Sequence, residues 1–268
     1  MEEGIAPEEA AEDLYRSGRY IEHNPSLHEE ESPWKVIKIT PLIDQFIALR
    51  SCDPINLLDV GGGAGLILKG VADHIRATYR ISVNKYAVDL TPGMLDVQRK
   101  NNPDIKQVLN EDVRHMSLRD KQIDLTLMID LLEHVPSPER ALEEAARVSH
   151  FLILKVPLED NLLLRLWNFI HRGEPRRRNA RLIGHINSYS YRKLRSQIEK
   201  HAGEIVHHYY TNVFQYLSQW DRARLPLRHK LQNAAGAFVF RFSPALASLI
   251  FFDYAMVLVS CARREVNS

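Results

Sequence analysis

Between Ile55 and Val156 the chain alternates short apolar runs with longer stretches of helical spacing. The runs Ile55–Val60, the segment ending Ala87-Val88-Asp89-Leu90, residues 105–109, Ile123–Ile129 and Phe151–Val156 have the length and composition of buried strands. Helices are expected between them. One runs from about 64 to 77, one opens at Thr91-Pro92 as N-cap and first helical residue, and one runs from Ser137-Pro138 to about Val148. Such alternation predicts a parallel sheet with helices on both faces.

The flanks have a different rhythm. Residues 1–31 are polar, with two short helical possibilities and the turn-like His23-Asn24-Pro25-Ser26. A helix is expected to open at Ser32, as N-cap, and Pro33. It carries Val36, Ile39, Ile43, Phe46 and Ile47 on one face, and Pro41 should kink or split it. After Pro157, residues 158–188 read as a long connection holding Arg172, Arg176, Arg177, Arg178 and Arg181. Ser190 then caps a helix with Leu194 and Ile198 that Gly203 terminates. Glu204–Tyr210 supplies a sixth strand, residues 213–250 are mostly helical, and Asp253–Cys261 supplies a seventh. The organisation expected is an N-terminal helical cap (1–50), a ligand-binding core (51–160) and a C-terminal part of the same domain with a helical, acceptor-side insertion (161–268).

Composition narrows the class of protein. Of 268 residues, 45% are hydrophobic and 26% charged, as in an ordinary folded domain. A formal charge of +1 gives no global attraction to nucleic acid. The two cysteines, Cys52 and Cys261, lack metal-type spacing, and no metal site is expected. The acidic start (Glu2, Glu3, Glu8, Glu9) argues against a secretory signal, so a cytoplasmic location is expected. Arg241, Pro244 and Asp253 interrupt the apolar C-terminal third, which leaves peripheral membrane contact open but not a spanning helix.

The candidate chemistry begins at Leu57-Leu58-Asp59-Val60-Gly61-Gly62-Gly63-Ala64-Gly65. Glycines after a strand suit a tight turn into a helix, where a ligand meets bare backbone. A dinucleotide G-x-G-x-x-G frame fails, because Leu66 or Leu68 occupies the third glycine position. A phosphate loop fails as well, because Val71 and Ala72 follow Gly70 in place of Lys and Ser/Thr. Acids then recur at successive strand ends: Asp59, Asp89, Asp112 and Asp130. In open α/β sheets these ends border the ligand crevice.

This pattern resembles motif I of the class I S-adenosylmethionine (SAM) methyltransferases. Asp130-Leu131-Leu132-Glu133-His134-Val135-Pro136 is similar to the family's D-x-L-E-H segment, and Gly184-His185-Ile186-Asn187-Ser188-Tyr189-Ser190 to its G-H-x-x-x-Y/F-S stretch. The resemblance implies a Rossmann-like, seven-stranded, mostly parallel sheet whose last strand is antiparallel and inserted between the fifth and sixth. It also implies SAM held by Asp59, Gly61, Gly62, Gly63, Gly65, Asp89, Leu90, Asp112, Val113 and Asp130. In that frame Asp89 grips the ribose hydroxyls, Asp112 accepts from the adenine amino group, and the next backbone N–H meets the ring. Tyr15, Tyr20, Trp34 and Lys35 could cap the sulfonium or simply pack the N-terminal helices.

If the acceptor is an alcohol or phenol, a base must take its proton, and His134 and His185 are the candidate catalytic residues; either could instead be a hydrogen-bonded loop histidine. The arginine cluster and the apolar stretch Ala234–Phe252 would together suit a small or lipid-like acceptor with an anionic group, although the stretch could equally be core or a dimer contact. Two rival readings are a SAM-binding regulatory or scaffold protein without chemistry and a nucleic-acid methyltransferase. The latter usually carries an Asn/Asp-Pro-Pro-aromatic motif where this chain has Asp130-Leu131-Leu132-Glu133, and no nucleic-acid partner is expected.

Overall fold

The computed structural model describes residues 29–50, 52–220 and 226–261. The helical possibilities in 1–28, the turn at His23–Ser26, Tyr15 and Tyr20 lie outside the described residues. After a 3-10 turn (Glu29–Glu31) the elements are α1 (Ser32–Leu49), β1 (Ile55–Val60), α2 (Leu66–Tyr79), β2 (Val83–Val88), α3 (Pro92–Asn101) and β3 (Ile105–Leu109). β4 (Ile123–Ile129), α4 (Pro138–Val148), β5 (Ser149–Pro157), α5 (Leu162–Ile170), α6 (Glu174–Ile183) and α7 (Tyr191–His201) follow. The chain closes with β6 (Glu204–Tyr210), α8 (Val213–Trp220), α9 (Leu227–Phe242), α10 (Pro244–Ile250) and β7 (Tyr254–Ser260).

The seven strands form one sheet in the order β3-β2-β1-β4-β5-β7-β6. β1 to β5 run parallel, and β7 is antiparallel to both β5 and β6. The expected insertion of the last strand between the fifth and sixth is therefore present. β4 sits at the centre and is buried along its whole length. Its polar members are satisfied: Asp124 accepts from Arg50 and from the backbone of Asn56, and Thr126 bonds Ser149. Strand order reverses between β1 and β4, so the crevice forms at their C-terminal ends.

Each face of the sheet carries its own core. Leu142, Ala145, Leu194 and Ile198 of α4 and α7 cover one face. Ile39, Ile43, Phe46, Leu68, Val71 and Ile75 of α1 and α2 cover the other. A smaller cluster, with Phe214, Ala247 and Phe251, gathers α8 to α10. Asp253 joins that cluster to the sheet by accepting from the Thr211 hydroxyl and from the backbone of Val213 and Tyr254.

Three expectations need correction. The 3-10 turn feeds directly into α1, so Ser32 is already helical, Glu31 takes the N-cap position, and no side chain caps the helix. Pro41 does not split α1, because it lies on the exposed side. The carbonyl its missing N–H would have bonded belongs to Ile37, which is 67% exposed and on the solvent face. The connection 158–188 contains two helices, α5 and α6. Asn161 starts α5 by accepting from the Leu164 N–H, and no residue of α5 is buried. The stretch Ala234–Phe252 is divided: Phe251 is core, whereas Phe242 is 73% exposed.

Candidate active site

A cleft of about 350 Å³ opens at the switch point, within the range of small-molecule sites. Its floor is the turn from β1 into α2. Gly63 has φ +54°, and a Cβ there would meet nothing within 4 Å, so the turn presents bare backbone to open space. Gly62 is glycine for another reason. A Cβ on it would lie 1.9 Å from the Asp59 carboxylate, which packs beneath the turn. Gly61, Gly62 and Gly63 border the cleft; Asp59 and Gly65 do not. Gly65 backs onto Asn102 and Gln98 of α3. Asp59 is buried, and its two oxygens have no hydrogen-bond partner among the described residues. Burial, with the nearby Asp89 charge, pushes its carboxyl up to about 7. These two residues shape the loop from behind.

Asp89, at the end of β2, lies in the cleft wall with Leu90. Its carboxylate accepts from the Thr91 N–H at 2.8 Å, and the backbone of Gly63 and Leu90 donates to it as well. Burial pushes this carboxyl up to about 6, against the lowering effect of those donors. Asp112 and Val113 also border the cleft. The Asp112 carboxylate is held by the Arg114 guanidinium, with Nη2 2.6 Å from Oδ2. An adenine amino group would share that carboxylate with the Arg114 guanidinium.

Asp130 borders the cleft too, in a left-handed conformation (φ +53°). Its carboxylate bonds Lys155 of β5 and lies 2.9 Å from Lys35 of α1. Burial alone would raise this acid; the two ammonium groups outweigh it and hold the carboxyl well below the usual range. Asp130 thus serves to fasten α1 to the strand ends. Lys155 also lies 3.4 Å from the centroid of the Tyr254 ring, and Trp34 packs on Tyr216 and Tyr254. The aromatic faces near α1 therefore meet a lysine and one another. The first turn of α1, through Ser32 and Lys35, forms one wall of the cleft.

The same cleft is lined by His134 and His185, with ring centroids 4.8 Å apart and an edge-to-face angle of 76°. His134 Nδ1 is 3.1 Å from the Gly184 carbonyl, and His185 Nδ1 is 2.9 Å from Glu159 Oε1. Beside them Glu133 is 1% exposed, and its Oε2 has no partner among the described residues. Burial and the adjacent Asp130 push this carboxyl well upward. His134 and His185 lie far apart in the sequence. Their meeting, and the parts played by Lys155, Glu159 and Arg114, come from the structure. A lysine in the otherwise apolar run Phe151–Val156 was a signal that a buried counter-charge existed.

Residues 58–150 match the methyltransferase domain family. Among characterised proteins, the chain is 28% identical over 117 residues to the ubiquinone biosynthesis O-methyltransferase of Hydrogenovibrio crunogenus, a match covering 41% of this chain and 45% of that one. The chain thus spans about half the length of the relative it matches. Among solved structures, it resembles geranyl diphosphate C-methyltransferase from Streptomyces coelicolor A3(2), in complex with Mg2+, geranyl diphosphate and S-adenosyl-L-homocysteine. The TM-score is 0.54 at 10% identity, over 83% of this chain and 77% of that one. It also resembles the [4+2]-cyclase SpnF, with TM-score 0.51 and 13% identity over 82% and 80% of the two chains. At these identities the likeness is one of fold, and the cyclase shows that the fold does not dictate the reaction. The glycine turn, the acids at the strand ends and the sheet order agree with these findings: residues 58–150 are similar to the methyltransferase domain family, and they lie in a Rossmann-like, seven-stranded sheet of the kind seen in those structures.

Proposed function

We propose that this protein moves a methyl group from SAM to an oxygen of a small, amphipathic acceptor. The observation that carries the reading is that one cleft is lined both by the glycine turn with Asp89 and by the His134–His185 pair. SAM supplies a methyl group on a good leaving group; the protein's part is to orient the partners and exclude water. Gly61 to Gly63 leave room for the amino-acid end, Asp89 accepts from the ribose hydroxyls, and Leu90, Asp112 and Val113 face the base. His134 or His185 takes the proton of an acceptor hydroxyl. A relative named for ubiquinone biosynthesis makes a phenolic quinone precursor a reasonable acceptor class.

The surface around α5, α6, α9 and α10 supports an acceptor that lives in lipid, and with it peripheral membrane contact. These helices adjoin one another. They expose Leu166, Trp167, Phe169, Phe238 and Phe242, with Arg176 to Arg178 beside them. Apolar faces flanked by arginines suit an anionic bilayer surface. Among the described residues no helix is long and apolar enough to cross a membrane.

Calorimetry with SAM and S-adenosylhomocysteine tests the cofactor half. Wild type should bind both, and Asp89→Ala should bind about 10- to 100-fold more weakly, the value of a charge-assisted hydrogen-bond pair. Wild-type protein that ignores both ligands overturns the reading. Incubation of labelled SAM with lipid, small-molecule and RNA fractions then locates the acceptor; label confined to RNA would reject the acceptor class.

A further inference from the structure

The loop after β3 holds a cation for which methyl transfer by itself has no task. Asp112 and Arg114 both border the cleft, two residues apart. The Arg114 guanidinium grips both oxygens of the Asp112 carboxylate, with Nε 3.0 Å from Oδ1 and Nη2 2.6 Å from Oδ2. The Arg114 backbone N–H donates to Oδ1 as well, at 2.9 Å. We propose that Arg114 is a positioning residue that sets nucleoside specificity: it fixes Asp112 as an acceptor-only edge, which admits a 6-aminopurine and turns away its 6-oxo counterpart. The proposal rests on the reading that the base of SAM lies against Asp112.

An ionised carboxylate offers acceptors and no donor. Facing position 6 of a purine, it pairs with an amino group and repels a carbonyl oxygen. That preference survives only while the carboxylate stays in place. Asp112 is half-buried at the cleft, and two side-chain torsions could turn its carboxylate toward water. A planar guanidinium bound through two N–H groups fixes the carboxylate plane, which a point charge cannot do. The pair closes within one loop, so it forms before any ligand arrives, and the ordering cost is met in advance. The main chain of the loop is strapped separately. Asn110 Nδ2 donates to the carbonyls of Asp89 and Leu90, which ties the loop to the end of β2. From α4, Glu144 accepts from the Met116 N–H, and Arg147 donates to the carbonyls of Met116 and Leu118. Those contacts hold the backbone; Arg114 holds the carboxylate.

The test is calorimetry on the full chain with S-adenosylhomocysteine and with S-inosylhomocysteine, which carries a 6-oxo group in place of the 6-amino group. Wild type should favour the first by about 100-fold, as expected when a charge-assisted hydrogen bond is exchanged for a repulsion. Arg114→Ala should bring that ratio below about 10-fold, and Arg114→Lys should fall between the two, because an ammonium restores the charge without the two-point grip. Arg147→Ala loosens the same loop without touching the carboxylate. It should lower the melting temperature and leave the ratio at the wild-type value, which separates specificity from loop order. Should Arg114→Ala fail to fold, Arg114→Lys carries the comparison, with a ratio below that of wild type. A wild-type ratio kept by the Arg114 variant, or lost as fully in Arg147→Ala, overturns the proposal. Wild type that binds both nucleosides equally overturns it and leaves methyl transfer standing; wild type that binds neither overturns both.

Discussion

The two walls of the cleft are built on different principles. On the side of the glycine turn, every group sits at the end of a strand or in the turn that follows it: Gly61 to Gly63 after β1, Asp89 after β2, Asp112 after β3. Strand register places them, and buried apolar residues hold the register. On the side of the histidine pair, Glu133 and His134 meet His185 because the segment after α6 folds back over the end of β4. Asn187 holds it there by donating to the carbonyls of Leu132 and Val135. The first wall is a property of the sheet and the second of a loop contact. The second is thus the wall that can vary between proteins of this fold without disturbing the first.

Variants can break this contrast, in descending order of effect. Gly63→Val puts a branched side chain into the open space above the turn, at a backbone angle that resists it. SAM affinity should drop at least about a thousandfold (~4 kcal/mol), measured by calorimetry, while stability falls by only about 1 to 2 kcal/mol. If SAM still binds, the nucleoside wall has been misplaced.

Asp59→Asn probes the support behind the turn. The folded-state carboxyl is raised from 3.8 to about 7, so the folded protein keeps a proton that the unfolded chain has released. Wild-type stability from this group is therefore fully present below about pH 4 and lost as pH rises through 7, by up to about 4 kcal/mol. Denaturant melts across that window should slope downward for wild type and flatten for Asp59→Asn. An equal slope in both would remove the buried, unpartnered acid from the account.

The smallest effect sharpens the picture of the outer surface. Trp167→Ser and Phe169→Ser replace exposed residues on α5, and stability should change by no more than about 0.5 kcal/mol. Sedimentation with anionic vesicles should fall for both. Unchanged sedimentation would detach that surface from lipid.

What the chain disclosed in advance follows the same division. β1 and β4 were legible with their observed limits, because buried strands are apolar runs bounded by turn residues. The edge strands β3 and β6 have no buried residue, and what marked them was the turn residues and helices on either side. The glycine turn was legible because its backbone demands leave few alternatives. α5 and α6 were not. α5 has apolar residues nearly all round, so no buried stripe marks it, and α6 is rich in arginine with little apolar face. The encounter of Glu133 with His185 depends on a tertiary fold-back that no local spacing encodes. The commitment of Asp130 to two lysines was hidden for a related reason: its partners come from α1 and β5, far from it in the chain.

Ile183, the last residue of α6, borders the cleft and is at the same time 41% exposed on the oily flank of the molecule. Interior and exterior grease are therefore continuous at that rim. For the amphipathic acceptor proposed above, that rim is where an apolar tail would meet the surface while the reacting group enters the cleft.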